Sequence, residues 1–268
     1  MAREWRRLLV PPDRLAAAAP MAELPELALE PPELHYLRRV LRLRPGQRFA
    51  LVDGVGHLWS ATLGPLTALL EQPLQRPLQS EPPPRPALQL AVALPRQDAD
   101  VLLRMACELG IDRLSPLRAE RSAATAALRT ERQGAILREA LEQSERLWLP
   151  RLDGPLPATT VLAAAPEQGG AGPVLRLLAT TRHEGLQPLE QGLPAGELTP
   201  AQVVVAIGPE GGWSSAEEQA AAAAGWRPVG LGSTILRTST AAVAAASLLA
   251  AWRRGLALSC GTSRPPSP

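Results

Sequence analysis

Residues 203–252 read VVVAIGPEGGWSSAEEQAAAAAGWRPVGLGSTILRTSTAAVAAASLLAAW, and this succession of apolar run, glycine turn and helix decides the fold. The run at 203–207 is unbroken, as in a strand buried on both faces of a parallel sheet. It stops at Gly208-Pro209-Glu210-Gly211-Gly212, a sharp turn whose backbone can lie close to a ligand. Ser214 with Glu217 has the spacing of a capping box that opens a helix, and Gly225 stands where that helix would close in a left-handed residue. A second short strand is expected at 228–231, leading into Gly230-Leu231-Gly232-Ser233. After Ile235-Leu236-Arg237, the segment Thr238-Ser239-Thr240 can cap a last, alanine-rich helix over 240–252. Each glycine loop follows the carboxyl end of a strand, which is where open α/β sheets bind ligands. Two tight turns with no ligand are the competing reading; two such loops holding Glu210 and Arg237 favour a site.

The upstream chain repeats the pattern. An apolar strand is predicted at 87–94. A helix capped by Asp98 follows, with Val101, Leu102, Met105 and Leu109 inward and Gly110 closing it, and a further strand at 111–117. Strand, helix, strand in this order implies a parallel sheet with a right-handed crossover. Glu120-Arg121-Ser122 comes next. Thr130 and Gln133 open a helix carrying Ile136, Leu137, Ala140, Leu141, Leu147 and Trp148 on its apolar side and Glu142-Gln143-Ser144 on the other. Residues 155–172 read as loop with a short helix near Val161, and 174–179 as another buried strand, followed by Thr180-Thr181-Arg182-His183-Glu184.

The first part of the chain has a different texture. Short strands are predicted at 8–10, 48–52 and 57–63, with Asp53-Gly54 as the turn between the last two. A short helix between 32 and 43 places Leu34, Leu37 and Leu41 on one face and Arg38 and Arg42 on another. Between His35 and Arg48 there are five arginines (38, 39, 42, 44, 48) and no acid. This is either a solvated face or a stripe that grips phosphate with forked hydrogen bonds. Residues 73–86, PLQRPLQSEPPPRP, are too rich in proline for a helix or a central strand and read as an extended linker. The expected organisation is therefore a small domain at 1–75, a linker at 76–86, an α/β domain at 87–256 and a disordered tail at 257–268.

Composition excludes several chemistries. All 28 basic residues of the 268 are arginine, so neither a P-loop lysine nor a lysine Schiff base is possible. His35, His57 and His183 have no zinc-like spacing with one another or with Cys107 and Cys260, and no metal is expected. Two cysteines form no disulfide framework, so a reducing cytoplasm fits, with Cys107 a small core residue. No segment reads as long and apolar enough to span a membrane. A pI of about 8.9 permits a nucleic-acid partner.

The motifs GPEGGW and VGLGSTILRTSTAA closely resemble the cofactor region of SPOUT-class methyltransferases. Within that class the chain is similar to the bacterial family that methylates N3 of a uridine in small-subunit (16S) ribosomal RNA. Ser239 departs from the family pattern, where many members carry Glu. LPRQDADVLLRMACELGIDRLSPLRAERS, ERQGAILREALEQSERLWLP and HYLRRVLRLRPGQRFALVDGVG extend the likeness over most of the chain. The resemblance implies an α/β trefoil-knot methyltransferase domain preceded by a small PUA-like β-barrel, S-adenosylmethionine as cofactor, and a homodimer with no membrane association. It implies that Gly208, Pro209, Glu210, Gly211, Gly212, Leu231, Gly232, Ile235, Leu236 and Thr238 enclose the cofactor. A third cofactor loop would lie near Thr180. Arg237 and Glu210 are the catalytic candidates. Arg38, Arg39, Arg42, Arg44, Arg121, Ser122 and Gln143 are the RNA contacts, and the partner is small-subunit rRNA or the assembled 30S subunit. Another SPOUT enzyme, such as a tRNA ribose methyltransferase, and a non-catalytic RNA-binding or ribosome-assembly protein are the alternatives. A dinucleotide oxidoreductase is disfavoured, because Ile235 stands where a third glycine would be needed.

Overall fold

The computed structural model describes residues 5–18, 24–122, 130–165, 172–181, 183–194 and 199–261. Arg182 and the tail beyond 261, both singled out above, lie outside the described residues. The chain forms two compact units. One takes the residues up to Pro83 together with Arg138–Leu149; the other takes Pro84–Leu137 and everything from Pro150 onward.

The first unit contains β1 (Arg7–Leu9), α1 (Pro12–Ala17), β2 (Glu26–Ala28), α2 (Pro31–His35), β3 (Arg48–Val52), β4 (His57–Leu63), β5 (Thr67–Leu70) and β6 (Gln79–Ser80). Its sheet runs β1-β3-β4-β5-β2, with β6 on β4. Phe49, Leu51, Trp59, Leu63 and Leu37 fill the core. The β3–β4 turn is wider than a two-residue hairpin. Gly54 and Gly56 have φ of 76° and 106°, and one Asp53 carboxylate oxygen accepts the N–H groups of Val55 and His57. The expected helix at 32–43 is α2 followed by a π-helical turn, Tyr36–Val40, which closes at Arg42 with φ 58°. The change of pitch keeps Leu37 fully buried. The proline-rich stretch is not wholly extended linker, since Gln79–Ser80 pairs along β4 as an edge strand.

Segment 138–149 is held in the first unit by contacts that sequence periodicity does not reveal. Leu9 N donates to Glu142 Oε1 at 2.8 Å, Gly56 N to Leu147 O at 3.0 Å, and Arg7, 6% exposed, to the carbonyls of Glu145 and Arg146. Burial raises the Glu142 carboxyl to about 6, against opposing hydrogen bonds from Leu9 N and the Tyr36 hydroxyl. The folded state thus holds this proton more tightly than the unfolded state. Its contribution is complete below about pH 4.5 and falls away as pH rises through 6. The E142Q variant has no such titration. Its stability relative to wild type should rise by up to about 2 kcal/mol between pH 4.5 and 7 in urea denaturation. A difference independent of pH would contradict this account of Glu142.

The second unit contains β7 (Ala87–Val92), α3 (Ala99–Glu108), β8 (Arg113–Arg118), α4 (Thr130–Ser144, shared with the first unit), β9 (Arg151–Leu152), β10 (Leu156–Pro157), α5 (Ala158–Ala163), β11 (Val174–Ala179), β12 (Gln187–Pro188), α6 (Leu189–Gly192), β13 (Gln202–Ile207), α7 (Ser215–Ala223), β14 (Arg227–Gly230) and α8 (Thr238–Gly261). The sheet order is β10-β8-β7-β13-β11-β14-β12, with β9 on β8, and the pairs are parallel. β13, the apolar run of the opening motif, lies between β7 and β11 and is buried on both faces. On one face Ala91, Val204, Ala206 and Leu178 pack with α5 and α7 through Leu162 and Ala221. The other face is covered by α8, which also packs on α3. The second unit is thus an α/β domain on a parallel sheet, and the first a small β-rich domain, as expected.

Five sequence expectations need correction. In α3 the inward side is Leu102, Leu103, Ala106 and Cys107, while Val101 is 40% exposed; in the run Val101-Leu102-Leu103 the apolar stripe can be rotated by one residue. Asp98 precedes α3 with φ 65° and makes no side-chain cap. Leu147 and Trp148 fall after the end of α4. α8 continues to Gly261, past the expected end at 252 and into the segment expected to be disordered. Over Thr238–Leu258 it is long and apolar enough to cross a membrane by length and composition, contrary to the sequence reading. Ala242, Ala245, Ala246 and Leu249 are nevertheless buried on α3 and the sheet. Arg253 ties the helix down by donating to Gly110 O at 2.6 Å and pairing with Asp112.

Candidate active site

The two glycine loops meet at the carboxyl ends of β13 and β14. Gly212 N donates to Pro209 O at 2.8 Å to close the first turn, and Gly212 itself has φ 73°, a conformation glycine adopts without strain. Trp213 folds under the loop, 5% exposed, and donates Nε1–H to Ala179 O at 3.0 Å. A Cβ on Gly208 would lie 3.0 Å from this indole, so the ring and the loop are in close contact. The capping box is complete: Glu217 N donates to Ser214 Oγ at 3.3 Å and Ser214 N to Glu217 Oε2 at 2.8 Å. At the start of α8, Thr238 is 2% exposed and donates its hydroxyl to Gly208 O at 3.0 Å. That bond joins the second loop to the first. The third loop leaves the neighbouring strand β11, with Thr180 N donating to Val229 O of β14 at 3.1 Å.

These loops line one cleft. Of the ten residues expected to enclose a cofactor, Gly208, Pro209, Glu210, Gly212, Leu231, Gly232, Ile235, Leu236 and Thr238 line it, and Gly211 does not. Thr180, Thr181, Trp213, Thr234 and Ala241 also line it. Thr180 and Thr181 were expected as the stretch following a buried strand, while Trp213, Thr234 and Ala241 lie within the motifs GPEGGW and VGLGSTILRTSTAA without being singled out. Glu210 is at the cleft and exposed. Arg237 is exposed between two lining residues, Leu236 and Thr238, but its own side chain is not part of the lining. No ion pair links Glu210 to Arg237 among the described residues.

The expected RNA contacts separate into groups. Arg39, Arg42, Arg44 and Gln143 are exposed. Arg38 is half-buried and donates to the carbonyls of Gly64 and Pro65, and Arg48 pairs with Glu71 at 2.8 Å. Of the stripe of five arginines, four remain exposed, and one of these, Arg48, is held by Glu71. In the other unit, Arg121 Nη1 donates to Trp213 O at 3.0 Å and lies 3.4 Å from Gly211 O, while Ser122 Oγ accepts from Ala119 N at 3.2 Å.

A nucleoside fits what the cleft offers. Its wall includes the apolar groups of Ala179, Ile207, Trp213 and Ala241. At Gly212 and Gly232 a Cβ would meet nothing within 4 Å, so peptide groups there face open space with no side chain over them. A described cluster of metal-ligating residues is not found near this cleft or elsewhere among the described residues.

Comparison with known proteins agrees with this architecture. Residues 81–250 match a family model described as an RNA methyltransferase domain, and residues 29–69 match one described as an RNA methyltransferase PUA domain. Fold and cleft thus define an RNA methyltransferase of the α/β-knot class. The chain is 37% identical over 238 residues to the ribosomal RNA small subunit methyltransferase E of Synechocystis sp., covering 88% of this chain and 74% of that protein. It is 33% identical over 219 residues to the protein of the same name from Mycobacterium bovis, covering 77% and 79%. The crystal structure of a ribosomal RNA small subunit methyltransferase E from Neisseria gonorrhoeae bound to S-adenosyl methionine superimposes with a TM-score of 0.74 at 27% identity, covering 93% of this chain and 98% of that one. The chain belongs to the ribosomal RNA small subunit methyltransferase E family.

Proposed function

We propose that this protein transfers a methyl group from S-adenosylmethionine to N3 of a uridine in small-subunit rRNA. The observation that carries the reading is the Thr238–Gly208 hydrogen bond, which closes two glycine loops around a single cleft at the strand ends. When bound, S-adenosylmethionine supplies a methyl already activated on a sulfonium. The protein's own task is then to hold the acceptor in line, which is worth about 7–11 kcal/mol. Peptide groups of residues 208–212 and 231–236 would bind the adenosine, and Trp213 fixes their spacing from below. Uracil N3 lies on the pairing edge, so the base must be unpaired and turned out of its stack. N3 gives up its proton to solvent, and the ring carries negative charge until the N3–methyl bond forms and the sulfur–methyl bond breaks, leaving S-adenosylhomocysteine. Arg237, exposed beside the cleft, would steady that charge. Glu210 at the rim would orient the base or Arg237. Arg39, Arg42 and Arg44 would hold rRNA phosphates, with Gln143 as a further contact. Ile235 is 77% exposed at the cleft, a surface that a second copy of the chain would cover in a homodimer. The resemblance to the uridine-N3 family supports the choice of base.

Mass spectrometry of small-subunit rRNA from cells lacking the gene should show one N3-methyluridine missing, restored by the wild-type gene and not by R237A. Unchanged N3-methyluridine would reject the choice of base. Loss of a different methyl mark would retain a methyltransferase with another target.

A further inference from the structure

The turn after β8 is bound at Glu120 to the start of α7 and at Arg121 to the first glycine loop. Glu217 is 1% exposed, and its two carboxylate oxygens serve different loops: Oε2 accepts Ser214 N at 2.8 Å and Oε1 accepts Glu120 N at 2.9 Å. A buried carboxylate at a helix N-terminus that takes two backbone N–H groups is a strong, short-range tie. Next along the turn, Arg121 reaches back with Nη1, which donates to Trp213 O at 3.0 Å and lies 3.4 Å from Gly211 O. The main chains are close enough there that a Cβ on Gly211 would stand 2.9 Å from Arg121 Cβ and 3.2 Å from Arg121 O. The Ala119–Ser122 turn is itself closed, with Ser122 N donating to Ala119 O at 3.1 Å. Arg121 therefore sits on a rigid mount, and its guanidinium is engaged by the loop that forms the cleft wall.

We propose that Arg121 is a positioning residue for the cofactor loop: it acts on S-adenosylmethionine binding through the carbonyls of Gly211 and Trp213, with Glu217 as the second tie, and does not serve as an rRNA phosphate contact. The inference rests on the reading of the cleft as the S-adenosylmethionine site. Trp213 couples the two, because it lends its carbonyl to Arg121 and its indole N–H to Ala179 under the cleft. Releasing Arg121 lets the peptide groups at 211–213 shift, and a main-chain binding surface loses affinity when its spacing is lost.

The test is a split between the two substrates. S-adenosylhomocysteine, the demethylated product, is titrated calorimetrically into wild type, R121A, R121K and G211A. Binding of unmethylated small-subunit rRNA is measured over a series of salt concentrations, and thermal unfolding is followed in parallel. R121A should bind the nucleoside about tenfold more weakly, as expected for one charge-assisted hydrogen bond. Its rRNA affinity and salt dependence should be unchanged. R121K, which keeps one donor, should recover part of the loss. G211A leaves the arginine in place but pushes the turn away, and should reproduce the loss even if R121A folds poorly. Nucleoside affinity equal to wild type in both R121A and G211A would overturn the inference. So would weaker rRNA binding by R121A with a salt slope reduced by about one, which marks a lost phosphate contact. A wild type that takes up no nucleoside would instead overturn the reading of the cleft, and the inference with it.

Discussion

R237A should lose about 10²–10³-fold in kcat while binding S-adenosylmethionine with unchanged affinity. The argument is positional. Leu236 and Thr238 line the cleft, and Thr238 is fixed by its bond to Gly208 O, so the backbone on either side of Arg237 is held. The side chain between them is exposed and has no ion-pair partner among the described residues. On the proposed reading it is a cation carried by a held stretch of backbone, next to where an acceptor base would meet the methyl donor. On the proposed reading the bound uracil is neutral and carries charge only once N3 is deprotonated on the way to methyl transfer, so loss of the cation should fall on kcat and leave cofactor binding intact. R237K should recover part of the rate, since a point charge remains without the forked geometry. Single-turnover methylation of rRNA combined with calorimetric titration separates the two quantities. A wild-type rate in R237A would remove this residue from the mechanism, and a parallel loss of cofactor affinity would move it to the binding surface.

G208V should give the complementary result, with cofactor affinity falling by more than about tenfold and stability by about 1–3 kcal/mol, the usual cost of overpacking. Even a bare Cβ at this position approaches the Trp213 indole to 3.0–3.2 Å. Two further methyl groups must displace the ring, which is pinned to Ala179 O, or displace the Gly208 carbonyl, which accepts from Thr238. Either movement reaches all three loops of the cleft. G208A adds only the first contact and should show a smaller effect of the same sign. Equilibrium denaturation and S-adenosylmethionine titration on the two variants give the ordering. Equal affinity in G208V and wild type would mean that the loop does not shape the binding surface.

Much of this site was legible in residues 203–252, because the chemistry there is local. The apolar run, the glycine turn and the Ser214–Glu217 box each leave a mark within a few residues; the cap expected at Thr238–Thr240 does not form, because these residues are already the first turn of α8. The structure places nine of the ten expected enclosing residues on one cleft. What was not legible depends on distant partners. Nothing near Arg121 in sequence indicates that its guanidinium meets a carbonyl 92 positions away. The attachment of 138–149 to the first unit rests on pairs such as Leu9 with Glu142, 133 positions apart. Within the arginine stripe, periodicity placed Arg38 and Arg42 on a common face. The π-helical turn changed that register, and Arg38 is bonded to the Gly64 and Pro65 carbonyls. The thread of the knot likewise leaves no period in the sequence and came only from the resemblance.

The most direct test of the account is a crystal structure of this protein with S-adenosylmethionine. The account predicts the adenosine between residues 208–213 and 231–238, hydrogen-bonded mainly to main-chain groups and resting near Trp213, with Arg237 on the methyl side. Ligand density at any other place on the second unit, or a cleft that stays empty at saturating ligand, would contradict it.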